Sequence, residues 1–248
     1  MQRVTSPLIL LIVLTFSFSL VWRNDFVEAR TVKQKETKAE RYELAKRHFP
    51  TVDYNEPSLP DTEQNRAKNE KKKRFNHLGN WVFATTEPYI VENLATNSFN
   101  FPALPVAKSD IILIGIVGET KAYLSENKRN VFSEFMVAVE TVFKSTDQEV
   151  KQGSIVTTNR MGGFVKCPSG QTVLYRRAGI YMPKIGGRYL FFLNSLNNQD
   201  YEILTAYELT EAGVIALDMA LQFFPLEGKS ETEILRELRA LLNTSDYQ

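Results

Sequence analysis

The stretch from Asp110 to Phe143 constrains the fold most strongly, because it contains two long runs with the character of β-strands. Ile111 to Val117 is apolar and β-branched almost throughout, which favours a strand buried on both faces. Residues 131–143 alternate between apolar and polar side chains, which predicts a strand with one buried face. The polar segment 125–130 between them is rich in turn formers, so the two runs are predicted to form a β-hairpin. The buried face of the second strand is predicted to carry Val131, Ser133, Phe135, Val137, Val139 and Phe143.

Further short strands are predicted after this hairpin. Gly115 and Gly118, inside the first run, permit the strong coiling that a small barrel needs. Gly162 and Gly163 predict a tight turn or bulge with positive φ. About five to seven short strands with glycine turns predict a mainly β domain, with a small OB-like β-barrel as the first interpretation and a β-sandwich as the alternative. The later strands are predicted at residues 153–158, 164–167, 172–176, 188–193, 201–209 and 214–217.

The C-terminal region is predicted to form an amphipathic helix. Ser230 and Glu233 have the spacing of a capping box, in which each side chain accepts a hydrogen bond from the other residue's backbone N–H. The helix is expected to pack against the barrel or to cover an open sheet edge. Its apolar stripe is predicted to contain Ile234, Leu235, Leu238, Leu241 and Leu242.

The first residues have the pattern of an export segment. A positively charged start, residues 1–3, is followed by an apolar run from Pro7 to Trp22. Val27 and Ala29 are small residues with the spacing of a signal-peptidase site, which predicts a cleaved signal peptide. The alternative is an N-terminal membrane anchor, because the apolar run ends well before Ala29. The protein is therefore expected to be exported, periplasmic or secreted, or to associate with the membrane through this segment.

A basic connector is predicted to follow, and parts of it have helical character. Residues 61–75 are strongly polar and would be helical if ordered, and the run from Lys71 to Arg74 is the densest charge in the chain. Such a run can attract anionic headgroups, or it can be the solvated face of a spacer, and we favour the spacer. The net charge of +1 and the absence of aromatic residues between these lysines give no reason to predict nucleic acid as a partner.

Four regions follow from these patterns. Residues 1–29 are the signal peptide or anchor, and residues 30–105 are the basic, partly helical or disordered connector. Residues 106–228 are the β-barrel domain, and residues 229–248 are the C-terminal helix and tail.

The residue types that most enzymes use are scarce in the strand-rich region. Cys167 is the one cysteine, so neither an intrachain disulfide nor a thiolate metal site is expected. The two histidines, His48 and His77, both precede the strands, which makes a Ser-His-Asp triad improbable. We therefore predict no catalytic residue, metal or cofactor. Cys167 is predicted to be a small, partly buried side chain, and pairing with another chain is the alternative.

Carboxylates keep one enzymatic alternative open, a small extracytoplasmic hydrolase. Glu119, Glu134 and Glu140 are the candidates for a carboxylate-based site. Glu134 and Glu140 lie on one face of one predicted strand about 20 Å apart, so they cannot form a dyad with each other. We interpret them as outward-facing solvated charges. The hydrolase requires two acidic side chains that meet in one cleft.

Arginines and tyrosines supply the candidate ligand-binding residues. They are predicted to converge at one barrel end and to bind an anion or a glycan, although solvation of strand edges is the simpler interpretation. Arg160, Arg176, Arg188 and Tyr189 are the residues that we assign to this binding site, with Arg177, Tyr175 and Tyr181 beside them.

Several segments together resemble a family of exported bacterial proteins with a small OB-like β-barrel domain and no assigned activity. The resemblance covers about residues 76–217 and is carried by LPVAKSDIILIGIV, YLSENKRNVFSEFMVAVETVFK, GSIVTTNRMGGFV, MPKIGGRYLFFL and ILTAYEL. The layout is also similar to the OB-like barrels of netrin-type and metalloproteinase-inhibitor modules. Those modules rely on disulfides, which this chain lacks, and the inhibitor mechanism needs a free N-terminal cysteine. The resemblance therefore implies a location and a fold but no functional residue.

The sequence therefore predicts a non-enzymatic, exported or membrane-anchored binding or interaction module of the bacterial cell envelope. Its expected partner is an envelope protein or an anionic or glycan ligand.

Overall fold

The computed structural model describes residues 49–57, 60, 62–77, 89–93, 100–177, 180–197 and 200–245. All of these residues lie in one compact unit, Leu44–Gln248. The predicted export segment and His48 lie outside the described residues. Among the residues described, no helix combines the length and the apolar character that crossing a membrane requires.

The described residues form a mainly β structure, as predicted. Short 3₁₀ turns at Phe75–His77, Val106–Lys108 and Phe224–Leu226 connect some of the elements. The helices are α1 (Glu63–Arg74) and α2 (Glu231–Ser245). The strands are β1 (Thr51–Asp53), β2 (Tyr89–Asn93), β3 (Ile111–Leu124), β4 (Val131–Ser145), β5 (Ile155–Met161), β6 (Gly163–Lys166), β7 (Thr172–Arg177), β8 (Arg188–Asn197), β9 (Asp200–Thr210) and β10 (Gly213–Ala216).

Five of the strands pair in a closed circuit. The predicted hairpin is confirmed, since β3 and β4 are antiparallel from Ile111↔Ser145 to Leu124↔Val131. β4 then pairs with β5, β9 with β8, and β8 with β3, all antiparallel. A parallel pairing of β5 with β9 at Thr158 and Asn159 closes the circuit. β10 pairs with β9 in the antiparallel direction. A second sheet has the strand order β1-β6-β7-β2.

The alternation in β4 places its apolar residues as expected, with one exception. Phe135 and Val137 are completely buried, and Val131, Ser133 and Val139 are buried with them. Phe143 is only partly buried and packs instead against the apolar cluster that contains Ile234 and Leu238 of α2. Register shifts between β3 and β4 near Ile112 and Ile114 accompany this change of side.

The C-terminal helix begins with the predicted capping box. The backbone N–H of Ser230 donates to Glu233 Oε2 at 2.8 Å, and the backbone N–H of Glu233 donates to Ser230 Oγ at 3.3 Å. Ile234 and Leu238 are fully buried against Ile112 and Ile114 of β3. Leu241 was predicted in the same stripe but is 42% exposed, so the buried stripe is narrower than the sequence pattern indicated.

The paired glycines form the turn that connects β5 to β6. Gly162 has φ +119° and Gly163 has φ +151°, which confirms the predicted positive φ. A Cβ on Gly162 would lie 2.6 Å from Met182 Cε and 2.9 Å from the Tyr175 carbonyl oxygen. Glycine is therefore needed at this position both for its conformation and for the close approach of β7.

The two glycines of β3 provide a matched test of the tightness of the hairpin. A Cβ on Gly115 would lie 2.5 Å from Val137 Cγ1 and 2.7 Å from the Ala138 carbonyl oxygen, whereas a Cβ on Gly118 would find its nearest neighbour, the Met136 carbonyl oxygen, at 3.6 Å. We expect Gly115→Ala to lower the free energy of unfolding by about 1–3 kcal/mol because it overpacks the strand pair. We expect Gly118→Ala to change it by less than about 0.5 kcal/mol. Urea unfolding of both variants measures the difference, and equal effects would contradict the close approach at Gly115.

Candidate functional site

Two of the arginines predicted to bind a ligand, Arg160 and Arg188, have acidic partners within the protein. Arg160 is buried on β5 and donates through Nη2 to Oδ1 of Asp218, which is also buried. Arg188, at the start of β8, donates from Nε to Glu140 Oε2 at 2.6 Å. Its two terminal nitrogens donate to the two carboxylate oxygens of Glu231 at 2.6 and 3.0 Å. Arg188 therefore links β4 to the start of α2.

The remaining members of the predicted set lie on or beside β7 and β8. Arg176 is buried, and its guanidinium lies 5.1 Å from the ring centre of Tyr181. Tyr189 is completely buried, and its hydroxyl accepts a hydrogen bond from the backbone N–H of Lys184 at 3.0 Å. Burial raises the pKa of Tyr189. Ligand binding by these residues stays a prediction, and alanine substitution at Arg160 or Arg188 would also remove an ion pair.

A buried charged cluster, which the sequence reasoning missed, attaches α1 to the strands. Lys71 Nζ lies 2.6 Å from Glu134 Oε1 of β4 and 2.6 Å from Asp200 Oδ1 of β9. Arg74 donates to the other oxygen of Asp200, and Asn159 Nδ2 of β5 donates to Asp200 Oδ1 at 2.8 Å. The Lys71, Glu134 and Asp200 side chains are only 8%, 17% and 14% exposed. The interpretation of this lysine as part of a solvated face is therefore wrong.

Contacts around the end of α1 strengthen this attachment. The ring of Phe75, directly after α1, stacks on Phe132 of β4 with 4.1 Å between ring centres and 9° between planes. Asn130 Nδ2 donates to the Phe75 carbonyl oxygen at 2.7 Å, and the backbone N–H of Glu126 donates to the Lys72 carbonyl oxygen at 3.3 Å. The β3–β4 turn therefore contacts both the last turn of α1 and the residue that follows it.

The sequence contained a partial signal for this cluster. Lys71 and Arg74 are three residues apart, which places them on the same side of a helix, and Phe75 follows immediately. The acidic partners lie far along the chain, with Asp200 separated from Arg74 by 126 positions. No local pattern identifies partners at that separation.

The same cluster bears on the hydrolase alternative. Glu134 and Asp200 lie close together because they share the ammonium of Lys71. A glycosidase dyad needs space between its carboxyl groups for the sugar or a water molecule, and here the ammonium occupies that space. Glu140 pairs with Arg188, so neither Glu134 nor Glu140 is the freely solvated charge that was expected. The arrangement fits a structural attachment better than an acid–base pair.

Three lysine side chains lie near the rings of two tyrosines, Tyr123 and Tyr54. Lys72 Nζ and Lys121 Nζ lie 5.9 and 5.1 Å from the ring centre of Tyr123. Lys128 Nζ lies 5.3 Å from the ring centre of Tyr54 and donates to the Tyr54 carbonyl oxygen at 3.1 Å. We call Lys72, Lys121 and Lys128 the lysine patch. It brings together α1, β3 and the β3–β4 turn.

The described residues contain no group of three or more His, Cys, Asp or Glu side chains placed to hold a metal ion. Cys167 is partly buried, as expected, and it packs against the cluster that contains Val165 and Tyr175. Burial raises the pKa of the Cys167 thiol, which makes the reactive thiolate scarcer at neutral pH.

Comparison with profiles of protein families, with curated proteins and with solved structures found no match. The strand pairing and the side-chain contacts described above are therefore the basis for a functional proposal.

The charged cluster predicts that substituting Lys71 and substituting Lys73 will change the free energy of unfolding by different amounts. We expect Lys71→Ala to lower the free energy of unfolding by about 3 kcal/mol, because it leaves Glu134 and Asp200 buried without their shared ammonium. Lys73→Ala is the control, because the Lys73–Glu70 pair is 49% and 61% exposed and such pairs contribute less than about 1 kcal/mol. Urea unfolding measures both, and a loss at Lys71 no larger than that at Lys73 would contradict the attachment.

Proposed function

We propose that this protein is a non-enzymatic binding module, exported to or anchored at the bacterial cell envelope, with an OB-like β-barrel as its core. The observation that supports the fold is the closed circuit of β3, β4, β5, β9 and β8. Its first strand pairs with the second and the fourth, and its third pairs in parallel with the fifth. An OB-fold is a five-stranded Greek-key barrel, and such barrels bind ligands on the face of their second and third strands.

The second and third strands of this circuit, together with the adjoining first strand, carry an exposed apolar row. The register places Ile116 of β3 beside Ala138 of β4 and Ala138 beside Ile155 of β5. Ile155 is 64% exposed, Ile116 is 37% exposed, and Met136 of β4 is 39% exposed. Apolar side chains grouped on a surface in this way are typical of binding sites. This row is the single observation that carries the proposal of a binding face.

The charged residues support a binding role rather than catalysis. The carboxylates that flank Met136 and Ala138 along β4, Glu134 and Glu140, are held by Lys71 and Arg188. A carboxylate that is already engaged by a cation within the protein is less available to contact a substrate. The proposed location rests on the pattern of residues 1–29, which is independent of the face.

Crosslinking in intact bacteria tests the face and the location together. A photo-crosslinking residue at position 155 of the full-length chain is expected to give discrete adducts in the membrane or periplasmic fraction. The matched control is position 185, because Ile185 is 63% exposed but lies in the turn before β8. Equal adducts from both positions, or none from position 155, would contradict the binding face. A full-length product in the soluble cytoplasmic fraction would contradict export and anchoring.

A further inference from the structure

We propose that the lysine patch binds a phosphate group of the module's ligand. This inference rests on the proposed binding function, and it adds a site and a ligand chemistry. The patch lies beside the β3–β4 turn, and Lys121 pairs in register with Glu134, two residues along β4 from Met136 of the apolar row. A ligand that carries phosphate on an otherwise neutral body would fit such a surface.

The first reason is an excess of positive charge that the nearby carboxylates neutralise only in part. Lys72 and Lys121 lie over the same Tyr123 ring, Lys72 and Lys128 line the same groove, and Lys68 adds a fourth positive charge near Lys72. Burial lowers the pKa of Lys72, and the neighbouring lysines lower it further, while Glu56 opposes them. Glu56 Oε1 lies 3.9 Å from Lys121 Nζ, with both side chains largely solvated. Like charges held close together destabilise a folded protein, so a bound anion would relieve them.

The second reason is the backbone at Lys128. This residue has φ +56°, the one positive φ at a residue other than glycine within the described part of the chain. Glycine or asparagine adopts that conformation with less strain, and either would suit the turn better. The strained residue places its ammonium over Tyr54 at the edge of the patch. Strain of this kind is characteristic of functional sites.

The third reason is that the three ammonium groups are positioned rather than free. The aromatic faces of Tyr54 and Tyr123 attract them through cation–π interactions. Tyr123 is itself fixed against Phe132, with 5.5 Å between ring centres. Lys72 is on α1, which the charged cluster attaches to the strands. The patch therefore forms only when α1 lies against the hairpin.

The surroundings provide room for a small anionic group. A groove of about 320 Å³ runs between α1 and the β3–β4 turn, and Lys72, Lys128 and Leu124 are among its lining residues. Glu56, Glu70 and Glu126 also line the groove, against the cations of Arg66, Lys72, Lys73 and Lys128. Glu70 pairs with Lys73 at 3.0 Å, and the Glu126 carboxylate accepts a hydrogen bond from Asn76 Nδ2 at 3.0 Å. Lysine ammonium groups bind phosphate as compact point charges, which suits a group approached from the helix by Lys72 and from the turn by Lys128.

Thermal unfolding of the full-length protein with pyrophosphate tests this site. Pyrophosphate is expected to raise the Tm in a saturable manner, and sodium chloride at the same ionic strength is not. Lys72→Gln and Lys128→Asn are each expected to weaken the apparent affinity for pyrophosphate about tenfold, the effect of losing one charge-assisted hydrogen bond. Both variants are expected to be at least as stable as the parent protein without ligand, because they remove charge crowding or backbone strain. Lys151→Gln, an exposed lysine in the loop before β5, is the control and should bind as the parent does.

Two further arms identify the source of the phosphate. Binding to phosphatidylcholine vesicles that contain phosphatidylglycerol, but not to phosphatidylcholine alone, would support a lipid headgroup. Binding of a sugar phosphate without vesicle binding would support a phosphorylated saccharide.

The inference is overturned if sodium chloride reproduces the pyrophosphate shift, or if the shift survives in both Lys72→Gln and Lys128→Asn. Its failure is distinct from failure of the proposed function. If pyrophosphate does not bind but position 155 still crosslinks, the phosphate site is contradicted and the proposed binding module is not. If pyrophosphate binds but position 155 gives no crosslink, the proposed binding face is contradicted and the phosphate site is supported.

Discussion

The position of α1 depends on one buried ammonium, that of Lys71, which is shared by Glu134 and Asp200. Apart from Ala67, α1 contains only polar residues, so it has no apolar face of its own to bury. A helix of 12 residues with this composition is marginal in water by itself. Its attachment must come from the charged cluster and from the stacking of Phe75 on Phe132. A buried charge that loses its partner is costly, so moving α1 away from the strands would cost free energy.

The attachment of α1 organises the surface on which function is proposed. The helix covers Phe132 and Glu134 of β4 near the β3–β4 turn. Met136 and Ala138 farther along β4, and Ile155 on the neighbouring β5, stay exposed. The attachment also places Lys72 beside Lys121 and Lys128. The sheet thus offers a group of ammonium charges near the β3–β4 turn and an apolar row farther along the same strands. A ligand with an apolar part and an anionic part would match both.

Local patterns predicted the parts of the fold that depend on local physics. The period-2 alternation of β4 and the capping box at Ser230 both follow from neighbouring residues, and both are confirmed. Such local patterns could not identify the ion-pair partners of charged residues, because those partners are far apart in the sequence. Arg160 pairs with Asp218, 58 positions away, and Lys71 pairs with two strands that are adjacent only after folding. The candidate site was therefore missed, since the lysines of α1 and β3 belong together only in the folded chain.

Hydrogen exchange at the backbone amides of α1 tests the central claim most directly. If the charged cluster attaches α1 to the strands, the amides of residues 67–74 will exchange far more slowly than those of an unstructured peptide. Asp200→Asn will accelerate them while the amides of β4 remain protected. Exchange of α1 in the unsubstituted protein at the rate of an unstructured peptide would contradict the account, because neither the attachment nor the lysine patch would then persist in solution.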